Sequence, residues 1–167
     1  SYLINKDTSP VDVTKLMTDE FTKQTKDIKK PKTAKVINQD TALKVASIIQ
    51  REAAGKSDMR LISGIIWNRI FKGMKLQVDA TLQYIKGNEN DWWPEITPKD
   101  KKIKSPYNTY LNLDLPPTPI SNPGLAAISA AYNPQTTNCL FFLHDKNGII
   151  HCSVTYEQHL KNIDRYY

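Results

Sequence analysis

One carboxylate occupies a position in the sequence where a charged side chain is unexpected. Glu52 follows Val45, Ile48 and Ile49 at helical spacing, so on a helix it projects from the face that should pack inward. Burial disfavours the charged form of a lone carboxyl group and raises its pKa from about 4.3 toward 6 or higher. Such a group donates a proton at neutral pH, which is the role of a general acid.

Periodicity alone leaves a structural interpretation of Glu52 open. The residue lies one turn from the predicted end of its helix, where its side chain can turn to solvent. It can also pair with an arginine, and the candidates are Arg51, Arg60 and Arg69.

The residues downstream favour the chemical interpretation. A segment without periodicity carries polar and aromatic side chains of the kind that line carbohydrate clefts, namely Ser105, Tyr107, Asn108, Thr109 and Tyr110. Trp92 and Trp93 precede them, either as stacking surfaces for sugar rings or as core anchors.

Two consecutive helices must position this glutamate. The first is predicted from an N-cap at Asp40 to a stop at Gly55, and the second from Ser57 or Asp58 to Gly73 along a broad apolar stripe. Together they predict a helical hairpin.

The middle of the chain is the least regular part. Residues 75–86 are compatible with a strand or a helix, and residues 87–123 have little periodicity and seven prolines, which predicts a long irregular loop region. A short Ala-rich helix is then predicted over residues 124–132, with Asn122 as its cap and Pro123 at its first position.

The C-terminal part predicts a β-hairpin and a helix, which makes the fold class α+β. Residues 139–144 and 149–154 flank a turn, and a capping box of Thr155 and Gln158 opens a last helix over residues 156–166. Cys139 and Cys152 lie on opposite arms of the hairpin, and we expect buried free thiols rather than a disulfide.

Length and composition predict one compact domain. The chain has 167 residues, 40% of them hydrophobic, which is enough for a single core. We divide it into an N-terminal lead and linker over residues 1–35, with a helix near residues 11–24, and a domain over residues 36–167. The sequence has no apolar run of roughly 20 residues and no signal-peptide layout, so no membrane segment is predicted within it.

The formal net charge of +6 is concentrated in two lysine-rich stretches, residues 23–35 and 99–104. Such stretches suit nucleic acid, an anionic wall polymer or a membrane surface. A solvated surface is favoured over all three, because aromatic residues do not alternate with the lysines, and no nucleic-acid-binding motif is present. The histidines and cysteines have no metal-ligand spacing, so no metal site is predicted.

A series of ordered blocks between Ala42 and Tyr167 carries a family resemblance. The blocks are IIQREA from Ile48, WNRI from Trp67, GMKLQVDATLQY from Gly73, SPYNTY from Ser105, LPPTPISNPG from Leu115, AAYNP from Ala130 and TYEQH from Thr155. In this order they resemble the catalytic domain of the MltG (YceG-like) endolytic murein transglycosylase family, and SYLINKDTSP at the start is similar to the chain that leads into that domain.

The resemblance implies a lytic transglycosylase without a cofactor, in which Glu52 is the single general acid/base. It would cut the bond between N-acetylmuramic acid and N-acetylglucosamine in peptidoglycan glycan strands and leave 1,6-anhydro ends. The matching positions implied for substrate binding are Asn68, Gln77, Asp79, Tyr84, Ser105, Tyr107, Asn108, Tyr110 and Asn122. Substrate contact is favoured for Tyr107 and Asn108, whereas Asn122 is also a candidate helix cap and Asn68 a tie between the helices and the loop.

Two features of the sequence keep alternatives open. Gln50 stands where the family usually has a first glutamate, which leaves a non-catalytic peptidoglycan-binding or assembly module as one alternative. Asp79 is a second carboxylate, which leaves a two-carboxylate muramidase hydrolase as the other.

The resemblance also implies a location. In that family a membrane helix and a LysM-like portion precede this domain, so we expect an extracytoplasmic, membrane-anchored full-length protein. Glycan strands are then the expected substrate, and the cell-wall synthesis machinery is a further candidate partner.

Overall fold

The computed structural model describes residues 4–30 and 37–166 of the chain. Within these ranges six α-helices and a two-stranded antiparallel sheet follow one another, which confirms the α+β class. The helices are α1 (Pro10–Thr25), α2 (Gln39–Glu52), α3 (Met59–Phe71), α4 (Asp79–Lys86), α5 (Leu125–Tyr132) and α6 (Tyr156–Tyr166), and the strands are β1 (Phe141–His144) and β2 (Ile150–Ser153).

Helix α2 is the centre of the core. It packs against α3, α4 and α5, and Val45, Ile48 and Ile49 on its apolar face are fully buried. Its N-cap is Asn38, whose side chain accepts the N–H of Thr41 at 2.8 Å. The cap predicted at Asp40 is wrong, because Asp40 lies inside the first turn and pairs with Lys44.

Helix α3 completes the predicted helical hairpin and ends before Gly73, whose φ of +63° stops it. Asp58, just before its first residue, is buried and accepts the N–H groups of Ala54 and Gly55. The same carboxylate contacts His144 at 2.7 Å, so it ties the turn between the two helices to β1.

The segment left open at residues 75–86 is helical in its second half, α4. The following stretch to residue 123 is irregular as predicted, apart from a 3-10 turn at Asp100–Lys102. Side chains hold it in place: Asn108 donates to the carbonyls of Lys101 and Ile103, at 3.2 and 2.7 Å.

Helix α5 begins later than predicted, at Leu125, with Gly124 as its N-cap. The predicted cap at Asn122 is wrong, because the N–H of Gly124 is instead bound by the side chain of Gln50, at 2.9 Å. A residue from α2 therefore fixes the start of α5.

The hairpin and α6 lie where the sequence predicts them, and α6 packs against both strands. Thr155 and Gln158 form the predicted capping box. Cys139 and Cys152 form a disulfide across the hairpin, with a Cα–Cα distance of 5.9 Å. The expectation of free thiols is wrong, because the bond from Leu140 N–H to Ser153 O extends the pairing to the residue before β1 and holds the neighbouring Cys139 beside β2, which contains Cys152.

Helix α1 confirms the helix predicted near residues 11–24 and continues into the stretch predicted as a linker. Phe21 and Ile28 pack against the core, and Asn133 donates to the carbonyl of Lys29 at 2.8 Å. Residues 31–35 of the predicted lead and linker lie outside the described residues, and the domain boundary at residue 35 stays a prediction. None of the described helices is long and apolar enough to cross a bilayer.

Candidate active site

Glu52 is the last residue of α2, and its partly buried side chain lines an open cleft of about 800 Å³. Residues of α2, of α4 and of the loop before α4 form one side of the cleft. Residues of the hairpin and of α6 form the other side. The lining residues are Glu52, Arg69, Leu76, Gln77, Val78, Asp79, Lys101, Tyr110, Phe141, Phe142, Leu143, His144, Tyr156, His159 and Ile163.

The pKa of Glu52 is raised to about 7, and the largest cause is desolvation by burial. The negative charge of Asp79 raises the pKa further, whereas a backbone hydrogen bond from Ala80 and the charges of Arg51 and Arg69 lower it. A large fraction of the Glu52 side chains therefore carries a proton at neutral pH, as a general acid requires.

Each candidate arginine partner of Glu52 is engaged elsewhere. The Arg51 guanidinium lies 3.4 Å from the centre of the Trp93 ring, and Arg60 Nε donates to the carbonyl of Asn133 at 3.0 Å. Arg69 donates to the backbone carbonyls of Leu140 and Leu76. Within the described residues no ion pair neutralises Glu52, which is why its pKa stays high.

Asp79 and Tyr110 form a second feature of the cleft. The Tyr110 hydroxyl donates to Asp79 Oδ1 at 2.6 Å, and burial together with this bond raises the pKa of Tyr110 well above its usual value. Tyr110 therefore keeps its proton and holds the Asp79 carboxylate in a fixed direction.

A strained backbone residue precedes Asp79. Gln77 has a φ of +51°, which costs an L-residue on the order of 1 kcal/mol. Its N–H donates to the carbonyl of Thr109, and the Thr109 hydroxyl accepts the N–H of Val78, at 3.1 and 3.0 Å. The loop thus holds the turn that brings Gln77 and Asp79 to the cleft.

The opposite side of the cleft includes His159 of α6. Burial and the charge of Arg69 lower the pKa of His159, so the ring is neutral at pH 7. It lies 5.4 Å from the Phe141 ring, and its buried Nδ1 has no hydrogen-bond partner in the described part of the chain.

Three of the nine residues predicted to bind substrate lie in the cleft with Glu52: Gln77, Asp79 and Tyr110. Two others, Tyr84 and Asn122, line a separate hollow of about 460 Å³ beside Pro119. Tyr107 borders Tyr84, with ring centres 5.0 Å apart, and its hydroxyl bonds Thr118 at 2.8 Å.

The remaining three predicted residues hold the scaffold. Asn108 is fully buried, and its side chain accepts the N–H of Tyr110 while donating to two carbonyls, so it has no exposed atom for the substrate contact favoured from the sequence. Asn68 donates to the carbonyls of Thr137 and Cys139, so it ties α3 to the segment before β1 and not to the long loop at residues 87–123. Ser105 accepts the N–H of Tyr107 within its turn.

Sequence reasoning missed Lys101, the hairpin residues and His159, and named Arg69 only as a partner for Glu52. Arg69 and His159 lie within the WNRI and TYEQH blocks, which was the available signal. The strands are too short for alternation to reveal which side chains face the cleft. Among the described residues no three His, Cys, Asp or Glu side chains gather as a metal site requires.

The fold and the cleft define a class: an α+β domain that presents one largely desolvated carboxylic acid in an open groove of polar and aromatic side chains. Comparison with known proteins identifies the family within this class. The model of the YceG-like family matches residues 1–165. The chain therefore belongs to the YceG-like family, as its ordered sequence blocks predict.

Relatives within that family agree in sequence and in fold. The chain is 35% identical over 160 residues to the endolytic murein transglycosylase of Bacillus subtilis, covering 96% of this chain and 44% of that protein. It is 32% identical over 133 residues to the endolytic murein transglycosylase of Streptococcus pneumoniae, covering 78% and 24%. A crystal structure of a YceG-like protein from Listeria monocytogenes superposes with a TM-score of 0.81 at 33% identity, covering 96% of this chain and 52% of that one. The chain thus spans about half or less of these proteins.

Proposed function

We propose that this domain is a lytic transglycosylase that cuts peptidoglycan glycan strands with Glu52 as its single general acid/base. The observation that carries the proposal is the largely desolvated Glu52 carboxyl, its pKa raised by burial to about 7, in a cleft of about 800 Å³. The activity named for the two bacterial relatives supports the reaction class.

In the proposed first step, protonated Glu52 donates to the glycosidic oxygen between N-acetylmuramic acid and N-acetylglucosamine. The bond from C1 to that oxygen breaks, the N-acetylglucosamine side leaves with a new hydroxyl, and positive charge develops at C1 of the muramoyl ring. The charge of Asp79 favours this step, because it keeps the proton on Glu52 beforehand.

In the second step the C6 hydroxyl oxygen of the same muramoyl ring bonds to C1 and closes a 1,6-anhydro ring. Its proton passes to the Glu52 carboxylate, which regenerates the acid. The substrate supplies the nucleophile, so one acid/base completes the cycle without a water molecule.

A two-carboxylate hydrolase is the second candidate, because Asp79 lies in the same cleft. The hydrogen bond from Tyr110 occupies Oδ1 of Asp79, and Oδ2 has no hydrogen-bond partner among the described residues. We propose an electrostatic and orienting role for Asp79, and the product distinguishes the two mechanisms.

The test is the mass of fragments released from purified sacculi. Anhydro ends are lighter than reducing ends by one water, so the proposal expects anhydro fragments from the parent and none from Glu52→Gln. Reducing ends would establish the hydrolase. Binding without fragments from the parent, at any enzyme concentration, would establish the non-catalytic module.

The Gln50 substitution does not argue for that module. Its side-chain oxygen accepts the N–H of Gly124, a bond that a glutamate in the same place also makes. Gln50→Glu is therefore the matched variant, and we expect it to release the same anhydro fragments as the parent.

We also propose that the domain works on the wall side of the membrane, where its substrate is found. The Cys139–Cys152 disulfide supports this location, because disulfides persist in oxidising compartments. The wall-synthesis machinery remains a candidate partner, and nucleic acid is not proposed as one.

A further inference from the structure

The lysine-rich stretch at residues 99–104 places one ammonium group in the cleft. Lys101 lies in the 3-10 turn Asp100–Lys102 and lines the cleft with Glu52, whereas Lys102 beside it does not. The carbonyl of Lys101 accepts a hydrogen bond from buried Asn108, at 3.2 Å. Its ammonium lies 4.8 Å from the centre of the Tyr110 ring. Buried Asn108 therefore holds the backbone of Lys101, and the ammonium lies beside Tyr110 of the cleft.

The N–H donors of the Lys101 ammonium are available to a ligand. It forms no ion pair with any carboxylate of the described residues, although Asp79 lies in the same cleft. The other cation that lines the cleft, Arg69, donates to two backbone carbonyls instead. Lys99, Lys102 and Lys104 are exposed nearby in the sequence and add positive charge at this edge.

We propose that Lys101 binds a carboxylate of the glycan strand and makes this cleft selective for acidic over neutral glycans. The inference rests on the proposed function. Two sources offer the same chemistry in peptidoglycan: the lactyl carboxylate of a stripped muramoyl residue and the carboxylates of an attached stem peptide. An ammonium with three donors suits either carboxylate.

Lys101 recognises substrate and takes no part in proton transfer. The charges that shift the pKa of Glu52 are those of Asp79, Arg51 and Arg69. Replacing Lys101 therefore changes the KM for an acidic strand and leaves the pH dependence of kcat in place.

The experiment compares three glycan preparations: strands with stem peptides, strands stripped by an amidase, and stripped strands whose lactyl carboxylates are converted to amides. For Lys101→Gln the KM is expected to rise about 5-fold on acidic strands and to stay unchanged on the amidated ones. A rise on the peptide-bearing strands alone assigns the contact to the stem peptide. A rise on the stripped strands alone assigns it to the lactyl group, whose carboxyl is bound as an amide in the peptide-bearing strands. A rise on both preparations shows that Lys101 binds either carboxylate.

Two variants separate a direct contact from general charge and from packing on Tyr110. Lys102→Gln removes the same charge from the same turn outside the cleft, and its KM is expected to match the parent. Lys101→Arg retains the cation and is expected to restore the KM. An equal KM increase on acidic and amidated strands, or the same effect from Lys102→Gln, overturns the inference.

Failure of the proposed function gives a different pattern. If the parent releases no anhydro fragments from any preparation, the reaction is wrong, and binding of the acidic and amidated strands still tests Lys101 by their dissociation constants. If the parent is active and Lys101→Gln shows no selectivity change, only the inference fails.

Discussion

At the scale of single residues, the chemistry of Glu52 results from a competition between desolvation and charge. Burial and Asp79 raise its pKa, and two arginines oppose them without pairing with the carboxylate. The outcome, about 7, lies where an acid/base that must both give and take a proton works best.

The pH dependence of activity tests this competition. We expect kcat/KM on glycan strands to fall above about pH 7, as Glu52 loses its proton. Asp79→Asn removes the neighbouring negative charge, so the pKa of Glu52 falls and the descending limb moves to lower pH. The amide oxygen still accepts the Tyr110 hydrogen bond, which keeps the geometry comparable. A limb at the same pH in parent and variant would show that Asp79 does not act on Glu52.

The raised pKa of Glu52 should also make the free energy of unfolding depend on pH. The folded pKa of Glu52, about 7, lies above the ordinary 4.5, so the folded state binds this proton more tightly than the unfolded chain does. The stability this confers is complete below about pH 4.5 and is lost as the pH rises through 7. Relative to the parent, Glu52→Gln should therefore gain on the order of 3 kcal/mol between pH 4.5 and pH 8.

Urea unfolding at a series of pH values measures this gain. Glu89→Gln is the control, because Glu89 is exposed and its replacement should leave the difference from the parent independent of pH. A flat difference for Glu52→Gln as well would mean that the carboxyl is not desolvated.

The sequence was sufficient to predict Glu52, because the carboxylate and the apolar residues beside it lie on the same face of one helix. It did not separate Asp79 and Tyr110 in the cleft from Asn108 in the core. All three are polar residues of matching blocks, and the difference lies in burial: Asn108 is fully buried and its amide group is bonded to the loop's own backbone.

At the scale of elements, α3 is held close to the segment before the hairpin. A Cβ on Gly64 would lie 2.2 Å from the carbonyl oxygen of Gln135, so only glycine fits at this contact. The bonds from Asn68 to Thr137 and Cys139 fasten the same segment further along the helix.

Neighbouring alanine substitutions on α3 should differ in their effect on stability. Gly64→Ala forces the backbone of Gln135 away and should destabilise the domain by about 2 kcal/mol or more. Ser63→Ala should be neutral or slightly stabilising, because the buried Ser63 hydroxyl has no partner in the described part of the chain. Thermal unfolding of both variants measures this, and equal destabilisation would contradict the close contact.

The disulfide should matter most for the side of the cleft that the hairpin forms. Cys139 and Cys152 are 13 residues apart, and closing a loop of that size stabilises by about 3 kcal/mol in the chain-entropy account. We expect Cys139→Ser with Cys152→Ser to lower the unfolding free energy by about this amount. Reducing agent should destabilise the parent and leave the double variant unaffected. No change on reduction would exclude a structural role for the bond.

The elements that the sequence predicts well are those with local signals: the apolar stripes of α2 and α3, and the capping box of α6. The start of α5 was misplaced because its N-cap, Gly124, is held by the side chain of Gln50, far away in the chain. The disulfide was missed for a related reason: Cys152 is paired with Phe142 in the strand register, and only the path of the segment before β1 brings Cys139 within reach of it.

At the scale of the whole molecule, the cleft is a product of tertiary packing. Glu52 comes from α2, Asp79 from α4, Lys101 and Tyr110 from the long loop, and His159 from α6. Most of these residues lie in sequence blocks that match the family. How the two sides of the cleft are arranged, however, depends on the packing of the hairpin and α6. Tyr84 and Asn122 illustrate this, since they belong to matching blocks and yet line a different hollow.

The central claim is that the fold keeps a proton on Glu52 at neutral pH. Carbon-13 NMR of side-chain carboxyls, with the Glu52 signal assigned by its loss in Glu52→Gln, follows that proton directly. We predict a transition of the Glu52 carboxyl at about pH 7. A transition near 4.5, the ordinary value for glutamate, would show a solvated carboxylate and contradict the account.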